Sequence, residues 1–264
     1  MTFDIIGTGN TAWFIGTRLK AAGHACAGVY GRNAERAHAL AKALQCVVYD
    51  DLQKMPDSAD CCIIAISDYA ISDIVSQLDL KNTVLLHTAG AVNMDVLQPS
   101  AVHTGVLWPV YSILKTGLPQ HRNIPLVWEA NTMLARDVLQ QLAQAISDIV
   151  YETDSQKRKW LHLTAVLGNN FANHLFSICE ELCRAQNLPF DILYPIIGQT
   201  ADRITYQSPA MLQTGPARRG DANTINRHID MLAENPAWQQ VYKALSASIE
   251  NMYMQNAEEK GTKR

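Results

Sequence analysis

The sequence predicts an α/β protein: a doubly wound, mainly parallel sheet followed by an all-helical region. Three observations carry that reading. Short apolar runs alternate with amphipathic segments, a glycine loop joins the first strand to the first helix, and strand signals stop after residue 153. Alternation of this kind means a parallel sheet covered on both faces.

The first strand, Phe3-Asp4-Ile5-Ile6, runs into Gly7-Thr8-Gly9-Asn10-Thr11-Ala12 and then a helix from Trp13. A G-x-G-x-x-A run between a strand and a helix is the pattern of a dinucleotide-binding, Rossmann-like fold. Gly7 allows the tight turn, Gly9 lets the backbone approach a pyrophosphate, and Ala12 keeps helix and strand close. The phosphates then meet the partly positive helix N-terminus. A second strand at 25–30 follows at βαβ spacing. At its end, where an NAD site places an acid, the chain reads Gly31-Arg32-Asn33. Arg32 suits a 2′-phosphate and adenine stacking, which favours NADP(H). The plainer alternative makes Arg32 a solvated loop residue and Asn33 the N-cap of a helix over 34–44.

Strands are expected next at 46–49, 61–66, 83–87, 102–107, 125–128 and 149–151, with helices at 69–78 and 132–145. The first domain therefore spans 1–153. Ligands of open α/β sheets lie beyond the carboxyl ends of the strands. That rule adds Ile66 and Ser67, and His87, Thr88, Ala89 and Gly90, to the cofactor-binding candidates Gly7, Thr8, Gly9, Asn10, Thr11, Ala12, Gly31, Arg32 and Asn33. It also makes His103, Trp108 and Pro109 the wall of a substrate cleft. For His87 and His103 a structural role is as good a reading as a functional one.

The second domain, 154–264, opens on helical periodicity over 155–185 that is long for a globular helix. At 100° per residue His162, Asn169 and Asn173 share one stripe, with Asn170 and His174 beside it. Buried amides without partners cost about 1–3 kcal/mol each, so this face must meet water, a ligand or another subunit. Further helices are expected at 191–206, 224–233 and 237–255, then a polar tail over 258–264. In the loop 213–221, Asp221 suits an N-cap, while Arg219 suits either a substrate carboxylate or an acid across a dimer interface.

Hydrophobic residues make up 48% and charged residues 18% of the 264, and the net charge is −3, which gives no electrostatic case for nucleic acid or anionic membrane. No apolar stretch reaches the roughly 20 residues of a membrane span. With a strand at the very start and no leader ahead of it, a cytoplasmic location is expected. Cys61 and Cys62 should face opposite sides of the sheet. Cys179 and Cys183 lack a second pair at ligand spacing, so no metal site is expected.

With GTGNTA, YGRN, HTAGAV, HTGVLWP, HLTAVLGNNFANH and TGPARRGD in that order, the chain resembles bacterial proteins that join a Rossmann-like domain to a helical domain of unassigned function, described as NADP oxidoreductases. The group is similar in layout to pyrroline-5-carboxylate reductase and to the 6-phosphogluconate and β-hydroxyacid dehydrogenases. The resemblance implies NADP(H), a homodimer through the helical domain and an active site in the cleft between the domains. It also exposes a departure: the dehydrogenases carry Lys with Asn four residues later on the long helix, whereas here Lys159 is followed by Leu163 and His162 by Val166. His162, with His103 second, is then the proton donor, since histidine changes charge near neutral pH. Two functions fit: NADPH-dependent reduction of a small C=O or C=N compound, with Asn169 and Asn173 orienting it and Asn170, His174, Trp108, Pro109 and Arg219 binding it, or a non-catalytic NADP(H) sensor.

Overall fold

The computed structural model describes residues 1–261, with side chains to Tyr253. The chain divides into two compact units, Met1–Asn170 and Phe171–Arg264.

The first unit is built on an eight-stranded sheet: β1 Thr2–Ile6, β2 Ala25–Tyr30, β3 Val47–Tyr49, β4 Cys61–Ile64, β5 Val84–His87, β6 Thr104–Pro109, β7 Leu126–Ala130 and β8 Val150–Glu152. The spatial order is β3-β2-β1-β4-β5-β6-β7-β8. Neighbours are parallel except that β7 runs antiparallel to β6. The chain moves outward from β1 to β3 and then returns to β4, so the strand order reverses between β1 and β4, where open α/β sheets bind their ligands.

Each sheet face has its own core, as fully apolar strands require. Helices α1 (Asn10–Ala21), α2 (Ala34–Leu44) and α4 (Met133–Ile146) cover one face, burying Phe14, Leu40 and Leu139 with Phe3, Ile63, Leu86 and Leu107. The short helix α3 (Ile71–Val75) covers the other, where Ile71, Val75 and Leu97 pack on Ile6, Ile64 and Leu85. Cys61 belongs to the first cluster and Cys62 to the second, the opposite facing expected of adjacent strand residues. Helix starts follow local chemistry: the side chains of Asn33, Thr132 and Asp154 accept from the backbone N–H of Arg36, Ala135 and Lys157.

The helical run after β8 differs from the expectation of one regular helix. It consists of α5 (Ser155–Ala165), a five-residue π-helical segment Val166–Asn170, and α6 (Phe171–Ala185). The first unit ends with the π segment. In the second unit, α7 (Tyr194–Arg203), the short α8 (Pro209–Leu212) and α9 (Pro216–Arg219), α10 (Ala222–Met231) and α11 (Pro236–Gly261) follow. Asp221 caps α10 by accepting from Thr224 N–H, as its place before Ala222 suggests. Arg218 stacks on Tyr253 of α11 at 4.1 Å, and His228 pairs with the Tyr242 hydroxyl at 2.8 Å. Of the tail expected over 258–264, the first four residues continue α11 and 262–264 lie outside the described residues. Among the described residues no helix is long and apolar enough to cross a membrane.

One acid sits inside the sheet. Asp4 of β1 is 1% exposed and accepts from the Tyr49 hydroxyl at 2.9 Å, across Gly28 of β2, where a Cβ would fall 2.2 Å from the Tyr49 ring. Burial pushes the Asp4 carboxyl up to about 6, against the opposing pull of its hydrogen bonds from Tyr49 and Gly28. A raised folded-state value means that the neutral acid suits the fold, and stability is lost as pH rises through about 6. Asp4→Asn should therefore raise the thermal midpoint relative to the parent at pH 8 and lose that advantage at pH 4, measured by melting at the two pH values.

Candidate functional site

Two cavities open at the carboxyl edge of the parallel strands, and both are built entirely from the first unit. The first, about 740 Å³, is lined by Gly7, Thr8, Gly9, Asn10 and Thr11, by Gly31, Arg32, Asn33 and Arg36, by Ile66 and Ser67, and by Thr88 and Ile113 among others. At position 7 its floor admits only glycine. Gly7 has φ +126°, and a Cβ there would lie 2.1 Å from the Ala65 carbonyl oxygen. A Cβ on Gly9, by contrast, would meet nothing within 4 Å, so the backbone borders open space that a diphosphate can enter. Gly9 is also the N-cap of α1, supplies no side-chain cap, and is followed by no acid in the first turn. The orphan N–H groups of that turn are thus left for an anion. Arg32 and Arg36, both exposed, bring two positive charges to the rim beyond β2. These residues fit a phosphorylated dinucleotide.

Ala12 lies outside the lining; it is fully buried and packs α1 on the sheet, the spacer role its position in the loop implies. Asn33 does double duty, lining the cavity while its side chain caps α2. Arg36 was not singled out by sequence, although it lies one helical turn beyond Asn33.

The second cavity, about 580 Å³, is lined by Trp108, Pro109, Val110, Tyr111 and Ser112, and by His162, Ala165, Val166, Asn169 and Asn170 of α5 and the π segment. The two cavities share walls. After β5, Thr88 faces the first cavity, while Gly90 is packed against His162 and Trp108 of the second. After β6, Ser112 lines the second and Ile113 the first. The segment after β6 is tied to α1: Asn10 Nδ2 donates to the Ile113 carbonyl at 3.0 Å, Lys115 lies over the Trp13 ring at 4.2 Å, and Arg18 donates to the Pro119 and His121 carbonyls at 2.5 and 2.7 Å.

The decisive side chain was missed by sequence. Arg158, fully buried, lies one turn ahead of His162 on α5. Its Nη1 donates to the carbonyls of Ala89 and Gly90 at 2.9 Å each, and its Nη2 donates to Glu129 at 3.1 Å and Ser155 at 3.0 Å. The Glu129 carboxylate also accepts from the Ser155 hydroxyl. From the other side, His87 Nδ1 accepts from Ala89 N–H at 3.1 Å. Burial, with Arg158 nearby, pushes the His87 imidazole down to about 3, so it stays neutral. The loop 88–90 is therefore gripped from both sides. Thr88 alone of His87, Thr88, Ala89 and Gly90 lines the first cavity; the other three form the wall behind it.

Other candidates are dispersed. His103 precedes β6 and so sits at the amino edge of the strands, opposite both cavities, with Nδ1 paired to the Thr132 hydroxyl at 2.9 Å. Asn173 and His174 belong to the second unit and are exposed. The π segment interrupts the regular helix between His162 and Asn173, so a 100° wheel does not apply across it. Arg219 is exposed on α9 and lines neither cavity.

A nucleotide cradle at the switch point of a doubly wound sheet, abutting a second cavity, defines an NAD(P)-binding oxidoreductase class of fold. Comparison with known proteins agrees. Residues 2–90 match the family described as NADP oxidoreductase, coenzyme F420-dependent, and residues 124–249 match a domain of unknown function (DUF2520). A Bacteroides fragilis protein provisionally assigned as an NADP oxidoreductase is 34% identical, over 95% of this chain and 98% of that one, with a TM-score of 0.87. The chain belongs to this family of two-part NADP oxidoreductases. Two more distant structures share the fold. One is pyrroline-5-carboxylate reductase from Streptococcus pyogenes (13% identity, 95% and 98% covered, TM-score 0.63). The other is an imine reductase from Myxococcus stipitatus in complex with NADP+ (9% identity, 98% and 94% covered, TM-score 0.63). No curated protein sequence matches the chain.

Two substitutions test the wall between the cavities. A Cβ on Gly90 would fall 2.5 Å from His162 and 2.7 Å from Trp108. Gly90→Ala should thus cost about 1–3 kcal/mol in denaturant unfolding through overpacking, whereas Gly117→Ala, with open space around it, should not. Arg158→Met strands the Glu129 carboxylate and should cost about 3–5 kcal/mol. Adding Glu129→Met should recover part of that loss, and simple additivity would contradict the ion pair.

Proposed function

We propose that this protein is an NADP(H)-dependent reductase of a small C=O or C=N compound, with nucleotide in the first cavity and substrate in the second. The observation that carries the reading is the shared wall: after β5, Thr88 lines the glycine cradle while Gly90 packs against His162 and Trp108, and after β6, Ser112 lines the His162 cavity and Ile113 the cradle. A group bound at the end of the first cavity therefore meets the contents of the second. Bound there, the reduced nicotinamide supplies hydride. Arg32 and Arg36 hold the 2′-phosphate, which an acid at the same place would repel. His162, among the described residues the one imidazole lining the second cavity, gives a proton to the heteroatom of the product. Asn169 and Asn170 orient the substrate through their amides, Trp108 and Pro109 form its apolar wall, and Arg158 positions the loop and helix that hold them. His103 has no part, since it lies at the other edge of the strands.

The distant likeness to pyrroline-5-carboxylate and imine reductases supports a C=N substrate among these options. In the second unit, exposed Phe171, Phe176, Ile192, Tyr194 and Ile196 support a homodimer through the helical region. A second reading, a non-catalytic NADP(H) sensor, draws on the absence of the Lys–Asn pair from the long helix.

Charge-assisted contacts of about 1.5–3 kcal/mol imply that Arg32→Ala weakens NADPH binding by roughly one to two decades and leaves NADH binding nearly unchanged; equal losses for both nucleotides in calorimetry would remove Arg32 from the 2′-phosphate site. His162→Gln should keep NADPH affinity and lower turnover by roughly 10²-fold or more, followed as NADPH oxidation at 340 nm with a panel of imines and carbonyl compounds. Tight NADPH binding with no oxidation across the panel would favour the sensor.

A further inference from the structure

We propose that the second cavity selects an uncharged substrate, recognised through neutral hydrogen bonds, over the same compound carrying a carboxylate or phosphate; this rests on the reductase reading. Among the described residues, the polar groups lining the cavity are the Trp108 indole, the Tyr111 and Ser112 hydroxyls, the His162 imidazole and the amides of Asn169 and Asn170. No Lys, Arg, Asp or Glu lines it.

Three of the cations nearest in the chain are committed. Arg158 is fully buried, with Nη1 and Nη2 spent on Ala89, Gly90, Glu129 and Ser155. Lys157 pairs with Asp154 at 3.4 Å, and Lys115 lies over the Trp13 ring. Lys159, one turn before His162 on α5, is exposed and does not line the cavity. The first cavity is the opposite case, with Arg32 and Arg36 on its rim. An anion entering the second cavity would give up water and find no Lys or Arg there, only the charge that His162 holds while it carries its proton, whereas a neutral amide, hydroxyl or imine finds complementary donors and acceptors.

Asn169 and Asn170, the last two residues of the π segment, both border the cavity; each amide offers one acceptor and two donors. Two adjacent amides suit a planar group that both donates and accepts.

The experiment uses the full chain saturated with NADPH, whose reduced ring is uncharged, and two non-reacting probes, a five-membered ring amide and the same ring bearing a carboxylate. Dissociation constants come from calorimetry, with saturation-transfer NMR as an independent measure. The neutral ring should bind at least about tenfold tighter than its acid, and Asn169→Lys should invert that order; circular dichroism would check that the variant is folded. Equal or tighter binding of the acid by the parent, or binding of neither probe, overturns the proposal and needs no variant. The matching ring imines, neutral and carboxylated, are then tried as substrates with NADPH. Selective binding of the neutral amide without NADPH oxidation by either imine would sink the reductase reading alone. Turnover that prefers the carboxylated imine would sink the charge selection alone.

Discussion

The arrangement depends on one buried cation. A guanidinium with no exposed surface is costly unless it is paired and hydrogen-bonded, and the two terminal nitrogens of Arg158 are answered by two carbonyls, a carboxylate and a hydroxyl, leaving only Nε without a partner. Those partners come from the loop after β5, from β7 and from the start of α5, so one side chain ties together three parts of the sheet unit. His87 completes the knot from below by taking the Ala89 N–H, and its neutrality follows from the same burial and the same neighbouring charge. Because the loop is held from both sides, Gly90 can lie against His162 and Trp108 without a side chain of its own.

The two cavities are made by different means. The first is a backbone construction, in which glycine, positive φ and an uncapped helix N-terminus leave room and N–H groups for phosphate, and the charge is added at the rim by Arg32 and Arg36. The second is a side-chain construction, lined by neutral polar groups and one imidazole. The segment after β6 joins them, since Asn10 of the glycine loop grips the Ile113 carbonyl while Tyr111 and Ser112, just before it, face the other cavity. Dinucleotide loop and substrate wall are therefore mechanically contiguous.

The π segment Val166–Asn170 supplies both asparagines of the second cavity, and π segments are common at functional sites.

Much of this was legible in the chain itself. The succession of strands and helices followed from apolar runs between amphipathic ones, the cradle from Gly7, Gly9 and Ala12, the cap of α2 from Asn33, and the opposite facing of Cys61 and Cys62 from the two-residue period of a strand. These are local matters, set by sterics and by the nearest few residues. Arg158 was legible in principle, since 158, 162, 165 and 169 follow helical spacing, but an arginine on a helix reads as solvated until its partners at Ala89, Gly90 and Glu129 are brought to it by the fold. His103 looked equivalent to His87 because both sit beside apolar strands; which end of the strand each occupies is decided by where pairing begins, and β6 starts at Thr104. The phase of Asn173 depended on a turn width that no side-chain pattern announces. Local geometry was thus determined by sequence alone, while the protonation of His87, the burial of Arg158 and the membership of each cavity were decided only by long-range packing, because each depends on which distant groups exclude water from the same small volume.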